Sequence, residues 1–399
     1  TVRVYGHGTG VNGTWLDGIG VPSDDWVTYL QDGFYPDWID HIARFDTLGA
    51  LGISNVSYLF ARAPASMSNW GLDLWDTSKV VDMSGLFMEA ALFNTDISRW
   101  NVSNVTDMSD MFSGALRFNQ PLNSWNVSNV IDMNDMFRWS DFNQPLDRWD
   151  VSQVQYMTSM FSNTPFDQPI ESWNVGRVTD MSEMFAETPM FNQPLNAWDV
   201  SNVTSFRHMF SQAGKFNQPL GRWDTTAATD MTAMFEQATQ FNQDLNTWNV
   251  SNVRAMDHMF KGAVSFNGAL SSWDTSNVTT MEFMFCGARV FNQSVSDWDV
   301  TLVTNMSHMF RDAVSFNQPL SDWNVVSVRE TQCMFMNAVT FNQDLRTWNT
   351  PLLSNCACMF MGATSLVYQN VMPRSRSGVV RTMLFHDTRV HIVDSGEWA

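Results

Sequence analysis

Large apolar residues recur along this chain at a fixed interval of 24 or 25 residues, and polar residues repeat with them. The clearest series is a column of twelve tryptophans, separated by nine steps of 25 residues and two of 24. Its members are Trp75, Trp100, Trp125, Trp149, Trp173, Trp198, Trp223, Trp248, Trp273, Trp298, Trp323 and Trp348. Two phenylalanine columns, Phe87 to Phe360 and Phe93 to Phe341, keep the same interval. Identical residues at a fixed period indicate stacked coils, so the pattern predicts a solenoid.

Residues 101–125 represent one interval, and its first half has helical spacing. Met108, Met111, Phe112 and Ala115 fall at i, i+3, i+4 and i+7, which predicts one apolar helical face. Thr106 or Asp107 can cap the first free amides of such a helix, and Asp110 stands where a capping box has an acid. The segment therefore predicts a helix of about two turns that must be held by packing.

The second half of the interval predicts an extended segment and two turns. Phe118 and Leu122 recur in later intervals, and Pro121 cannot donate to a strand ladder, so we expect a short or interrupted parallel strand. The Asn after this Phe recurs in almost every copy, which predicts a ladder of stacked amides. Every tryptophan of the column is followed by Asn or Asp, whose side chains can bond the backbone two residues on.

These patterns predict an α/β repeat protein of about 12 coils, each with a short strand and a short helix. We assign residues 53–365 to the solenoid, 1–52 to an N-terminal cap and 366–399 to a C-terminal cap, because the apolar ends of a solenoid need covering. The repeat pattern WDVSNVTxMxxMFxxAxxFNQPL resembles that of the BspA-like leucine-rich-repeat surface proteins, whose variant of this kind was long catalogued as a domain of unknown function. The resemblance implies a right-handed leucine-rich-repeat-like solenoid, a cell-surface or secreted location, and roles in adhesion or protein contact. It supplies no catalytic residues.

The charge composition limits the kinds of partner that the chain is expected to bind. The formal net charge is −19, from 41 acidic against 22 basic residues, which disfavours binding to nucleic-acid phosphates and to anionic lipid. No apolar run approaches the roughly 20 residues of a membrane helix, so no membrane span is expected in this chain. Residue 1 is Thr, and a signal peptide or anchor could have been removed.

Four cysteines are present, and two of them occupy the same position in adjacent coils. Stacking would bring Cys333 and Cys358 within disulfide range, so they are a candidate disulfide, with two free thiols as the simpler interpretation. Cys286 and Cys356 have no such counterpart.

Ten Asn-x-Ser/Thr sequons predict N-glycosylation if the chain is secreted by a eukaryote, although the repeat itself generates several of them. They start at Asn12, Asn55, Asn101, Asn104, Asn126, Asn202, Asn249, Asn277, Asn292 and Asn305.

Other candidate sites have simpler structural explanations. The acids Asp107, Asp132, Asp180 and Asp230 form a column that could bind Ca²⁺, but capping explains them without an ion, and no cofactor is required. The tryptophans could stack sugars, but core packing is favoured. His208, His258 and His308 are two coils apart, too far to share a metal ion, and Gly6, Gly8 and Gly10 lack the helix of a phosphate loop.

We therefore expect a non-enzymatic surface or extracellular protein. It would act in adhesion, in binding of protein or glycan, or by self-assembly as a subunit of a coat, fibre or appendage. The alternative is an organellar or cytoplasmic scaffold subunit of a large assembly. An enzyme carried on the solenoid has no triad spacing or metal cluster behind it.

Overall fold

The computed structural model of the protein describes residues 54–63 and 71–367, which form one stack of coils. Successive coils are joined by parallel β-bridges at one position per coil. The bridges run in order through Asn55, Asp82, Asp107, Asp132, Tyr156, Asp180, Ser205, Asp230, Ala255, Thr280, Asn305, Glu330 and Asn355. The chain is a repeat solenoid, as predicted. The predicted caps lie outside the described residues, apart from positions 366 and 367.

The three aromatic columns form the core of the stack. Every tryptophan of the column is 5% exposed or less. Phe210 is fully buried and stacks on Phe185 at 5.7 Å, on Phe235 at 5.6 Å and on Phe216 of its own coil at 4.0 Å. These separations suit offset stacking of aromatic rings. The prediction of a tryptophan core is confirmed, and a sugar-stacking role for this column is excluded by its burial.

Each buried indole also ties its coil to the one before. The Nε1 group of Trp248 donates to the carbonyl oxygen of Leu220 at 3.0 Å, and that of Trp223 donates to Leu195 at 2.9 Å. The same bond recurs from Trp100 to Trp348. Because a buried donor without a partner is costly, the repeat satisfies its indole nitrogen at every step.

The segment predicted as a helix is instead a series of consecutive turns, which we call the turn ribbon (residues 106–115 and their equivalents in each coil). The one helix among the described residues is a 3-10 helix at Leu72–Leu74, and none of their strands exceeds a single bridge. Asp110 has a φ of 56° and Gly114 a φ of 71°. A residue with positive φ cannot continue a right-handed helix, so the helix prediction is wrong. The prediction of which side chains face the core was correct, because Met108, Met111, Phe112 and Ala115 are all fully buried.

The turn ribbon satisfies its backbone by alternating the direction of its peptide groups. The amides of Met108, Asp110, Phe112 and Gly114 donate to carbonyl oxygens of the next coil at 2.7–3.0 Å. The amides between them close turns, as when Ser113 N donates to the Asp110 carbonyl at 3.0 Å. The left-handed residues rotate the intervening peptides and make this alternation geometrically available. The inter-coil bonds therefore replace both the strand ladder and the helix that the sequence pattern predicted.

The strand predicted at Phe118–Leu122 is also absent, because side chains take over its ladder. The amide N of Asn119 donates to Oδ1 of Asn94 at 3.0 Å, and Asn143 N donates to Oδ1 of Asn119 at 2.9 Å. The same link continues through eleven steps to Val367. The predicted stack of amides is confirmed. The parallel bridges lie instead at the start of the turn ribbon.

Candidate binding surface

The outward positions of the turn ribbon differ most from coil to coil. At the bridge position the chain carries Asp, Tyr, Ser, Ala, Thr, Asn or Glu, while the inward positions stay mainly Met, Phe and Ala. Side chains at the positive-φ position range from Asp110 through His208 and Phe283 to Cys333. The outer side of the ribbon is therefore the part of each coil where side chains vary without disturbing the core.

One part of the ribbon exposes large aromatic side chains beside carboxylates. We call Asp110, Asp132, Asp135, Trp139 and Tyr156 the acidic–aromatic patch. Trp139 is 49% exposed and Tyr156 is 43% exposed. In the bridge column, Tyr156 lies between Asp132 of the preceding coil and Asp180 of the following one. The patch therefore combines exposed ring surface with flanking negative charge, on three consecutive coils.

Arg138 organises the centre of the patch. Its guanidinium carbon lies 4.3 Å from the centroid of the Trp139 ring, and its Nη1 donates to Oδ1 of Asp135 at 3.1 Å. Stacking on an aromatic face and pairing with a carboxylate are both characteristic of guanidinium. These contacts restrain the Trp139 ring at the surface.

The carboxylates of the patch crowd one another. Burial, followed by the charge of Asp135, raises the pKa of Asp110 from 3.8 to about 6. Burial also raises the pKa of Asp132 and Asp135, and the neighbouring carboxylates Asp107 and Glu183 add to these shifts. Burial is the main cause of these raised pKa values and neighbouring like charge adds to it, so the ionised forms of these carboxylates are disfavoured at the site.

Charge is distributed unevenly along the turn ribbon and the one to three residues that flank it on each side. Segments 80–93, 105–118, 130–142, 154–166 and 178–191 together carry ten acidic and two basic residues. The equivalent segments from 203–216 to 353–366 carry six acidic and seven basic residues, together with His208, His258 and His308. The first half of the ribbon is therefore strongly acidic and the second half nearly neutral.

The three histidines lie on the second half, at the positive-φ position of the ribbon. The ring of Phe283 is sandwiched between His258 at 4.8 Å and His308 at 4.2 Å. Burial lowers the pKa of both histidines, so near pH 7 they are mostly neutral rings. They occupy turns and not the predicted helix, and among residues 54–63 and 71–367 no group of three or more His, Cys, Asp or Glu could hold a metal ion.

The repeat corresponds to a known sequence family. The profile of the family described as "Mycoplasma protein of unknown function, DUF285" matches residues 54–166, 162–273 and 262–371. These matches cover most of the 399 residues. This chain belongs to that family. No curated protein matches it.

One solved structure has a weak likeness to the DUF285 repeats. It is a crystal structure of a TLR13–ssRNA13 complex, with 10% sequence identity and a TM-score of 0.21. The alignment covers 76% of this chain and 62% of that chain, so less than two thirds of its length is represented here. A likeness this weak transfers no property. The BspA-like relationship remains a hypothesis.

The predicted calcium column of the DUF285 repeats caps turns. Asp107 accepts a hydrogen bond from the Ser109 amide at 2.9 Å, and Asp230 accepts one from the Thr232 amide at 2.8 Å. Asp132 and Asp180 do the same. The capping explanation was correct in kind, although the acids cap turns and not helices. The Asn or Asp after the column tryptophan closes a second turn in the coils from Trp75 to Trp323, as when Ser128 N donates to Oδ1 of Asn126. After Trp348 this bond is missing, because Pro351 has no amide hydrogen to donate to Asn349.

The cysteine pair lies where the repeat register predicted. Cys333 and Cys358 hold equivalent positive-φ positions in adjacent coils, with φ of 52° and 56°. Burial, followed by the neighbouring Cys358 thiol, raises the pKa of Cys333. Both are free thiols in the structure, as are Cys286 and Cys356. The bridge therefore stays a prediction.

The described sequons fall on the surface, but many of their amides are engaged. Asn104, Asn202 and Asn277 donate Nδ2 to a backbone carbonyl of the preceding coil at 2.7–2.8 Å. The Nδ2 groups of Asn55, Asn249 and Asn305 donate to side chains of neighbouring coils. Asn292 belongs to the amide ladder. In Asn101 and Asn126 the oxygen accepts a turn hydrogen bond. Asn12 and the glycine cluster Gly6, Gly8 and Gly10 lie outside the described residues. Glycosylation stays a prediction.

Sequence analysis missed the acidic–aromatic patch, although a signal was present. Trp139 is a tryptophan outside the tryptophan column, at a position where the neighbouring coils have Gly114 and Asn163. Tyr156 interrupts a bridge column that is mostly short and polar. A search for residues that break the repeat would have found both.

Proposed function

We propose that this chain is a non-enzymatic repeat scaffold that binds a partner protein through the outer face of its turn ribbon. The observations that support this are the exposed Trp139, which Arg138 holds, and the exposed Tyr156 on the next coil. Tryptophan, tyrosine and arginine dominate the energetic centres of protein interfaces. Large exposed aromatic side chains on an otherwise polar face also cost solubility unless they are used.

We place this scaffold at the cell surface or outside the cell, in adhesion or in a coat or appendage, as a BspA-like leucine-rich-repeat relative. Exposed sequon asparagines such as Asn101 and the adjacent thiols of Cys333 and Cys358 support this placement. The organellar or cytoplasmic scaffold is the second candidate, which reduced thiols and bare sequons in the native protein would favour. Among the described residues, no helix is both long and apolar enough to cross a bilayer.

Site-specific photo-crosslinking in the native source tests the binding face. A photoreactive residue at Asn163, next to Trp139 in its column, should give a discrete adduct that Trp139→Ala combined with Tyr156→Ala abolishes. The same residue at Asn202, an exposed position on another side of the coil, serves as the control. An adduct formed equally from both positions, or unaffected by the double substitution, contradicts the proposal.

Intact-mass measurement of the native protein tests the location. Glycan mass and the loss of two hydrogen atoms for a Cys333–Cys358 bridge are expected for the exterior. A bare and fully reduced mass favours the interior scaffold instead.

A further inference from the structure

The acidic–aromatic patch has a composition that restricts what can occupy it. Its exposed rings, Trp139 and Tyr156, favour apolar or cationic contacts, because the face of an aromatic ring is apolar and carries partial negative charge. Ile131, 38% exposed, begins the same ribbon segment as Trp139 and adds aliphatic surface. Within residues 54–63 and 71–367, the patch and Ile131 thus leave aromatic and aliphatic surface exposed on the ribbon.

Charge decides the kind of partner. The ribbon segments around these rings carry ten acids against two bases, whereas the rest of the ribbon is nearly balanced. Arg138 pairs with Asp135, but Asp110 still lies close enough to Asp135 and Asp132, and Asp132 close enough to Asp107 and Asp135, for their like charges to repel. An acidic or phosphate-bearing partner would place further negative charge next to these carboxylates. Like charges brought together at an interface cost on the order of several kcal/mol. A cationic partner would instead relieve the existing repulsion.

We propose that the acidic–aromatic patch binds an extended, Lys/Arg-rich segment of the partner protein, with Trp139 and Tyr156 as its anchors. This inference rests on the proposed scaffold function and names its partner. Lysine and arginine can lie over the Trp139 and Tyr156 rings while their charges meet Asp132, Asp135 and Asp180. Five coils spaced at about 4.8 Å extend roughly 24 Å, which an extended segment covers with about seven residues.

Fluorescence anisotropy on the full chain tests the proposal with three labelled synthetic peptides of about ten residues. They alternate leucine with lysine, with serine or with glutamate, so that length and apolar content are matched. We expect the lysine peptide to bind with a Kd at least about tenfold below that of the serine peptide, and the glutamate peptide to bind weakest. Binding should weaken between about 0.1 M and 1 M salt, where screening shortens from about 10 Å to about 3 Å.

Variants separate the patch from the general negative charge of the chain. Trp139→Ala with Tyr156→Ala should raise the Kd of the lysine peptide about tenfold. Trp139→Phe, which keeps an aromatic ring, should weaken the binding less than Trp139→Ala. Leu302→Ala with Val326→Ala, exposed apolar residues elsewhere, should change it less than about twofold. Asp132→Asn with Asp135→Asn should weaken binding more than Asp297→Asn with Asp322→Asn, which remove the same charge from other exposed positions. Unchanged urea midpoints would show that the variants fold.

The outcomes distinguish this inference from the scaffold proposal. Equal weakening by both pairs of Asp→Asn substitutions, with no effect of the Trp139 and Tyr156 variants, would mean general polycation attraction and overturn the inference. Tight binding of the serine or glutamate peptide at the patch would overturn the cationic partner and leave the scaffold intact. Self-association that Trp139→Ala abolishes, without peptide binding, would assign the patch to a second copy of this chain.

Discussion

Gln237 offers a direct test of the turn ribbon, because its backbone has a φ of 56° and its side chain is exposed. The equivalent residue of the next coil is Gly262, with a φ of 71°. A left-handed backbone costs a residue with a side chain about 1–2 kcal/mol, and ordering glycine costs about 0.5–1 kcal/mol. Gln237→Gly is therefore expected to stabilise the protein by about 0.5–1 kcal/mol.

A helix at this position would give the opposite sign. Glycine inside a helix is less favourable than glutamine by about 0.5–1 kcal/mol. The two structures therefore differ by about 1–2 kcal/mol in the predicted effect of one substitution. Gln240 is the matched control, since it is an exposed glutamine three residues on without a positive φ. Gln240→Gly should destabilise in either case.

Urea unfolding followed by tryptophan fluorescence measures both variants against the unmodified chain. We expect the midpoint to rise for Gln237→Gly and to fall for Gln240→Gly, with unchanged slopes of free energy against urea concentration. A repeat array need not unfold in one step, so the comparison uses midpoints of the same transition. If the midpoint fell equally for both substitutions, the turn ribbon would be refuted and a helix at this segment would be the better interpretation.

Three further predictions concern the ladders and the buried charge. Asn217→Ala should destabilise by about 1–2 kcal/mol in urea unfolding, because it removes the acceptor of two inter-coil bonds, whereas Asn217→Asp should be nearly neutral, as Asp167 holds the same position. Trp248→Phe should lower the midpoint by an amount equivalent to about 1–3 kcal/mol, since the bond to the Leu220 carbonyl is lost, and an unchanged midpoint would count against that bond. The pKa of Asp110 is raised from 3.8 to about 6, so the folded chain binds more protons in this range and its stability falls as pH rises. Asp110→Asn should therefore stabilise the chain more at pH about 7 than at pH about 4.5, and equal gains would contradict the raised pKa.

The periodic residues made most of the fold predictable. Trp248, Phe210 and Met111 recur at positions whose burial follows from period alone, because a column of large apolar residues can be shielded only by stacking. Asn119 and Asn126 were also assigned correctly to a ladder and a turn, since amides have few other uses in a stack. Local hydrogen-bonding chemistry was sufficient for these positions.

The helix was mispredicted because its apolar spacing is shared by a different backbone. Met108, Met111, Phe112 and Ala115 lie on one face in either structure, so burial does not distinguish them. The distinction comes from the neighbouring coils, whose carbonyls accept the amides of Asp110 and Gly114. Glycine at position 114 and at some equivalent positions was a local signal of the positive φ. Other coils carry non-glycine residues such as Gln237 at the same position and with the same sign of φ, so the signal is not consistent along the repeat.

The sequence by itself determined that this protein is a stack of coils, which side chains line its interior and which amides close its turns. These properties depend on period and residue type, and both are written along the chain. Only the tertiary structure decided the path of the backbone between the apolar positions and the exposure of Trp139 and Tyr156 beside their acids. Hydrogen bonds from one coil to the next select the left-handed turns, and stacking places the side chains of different coils on one face.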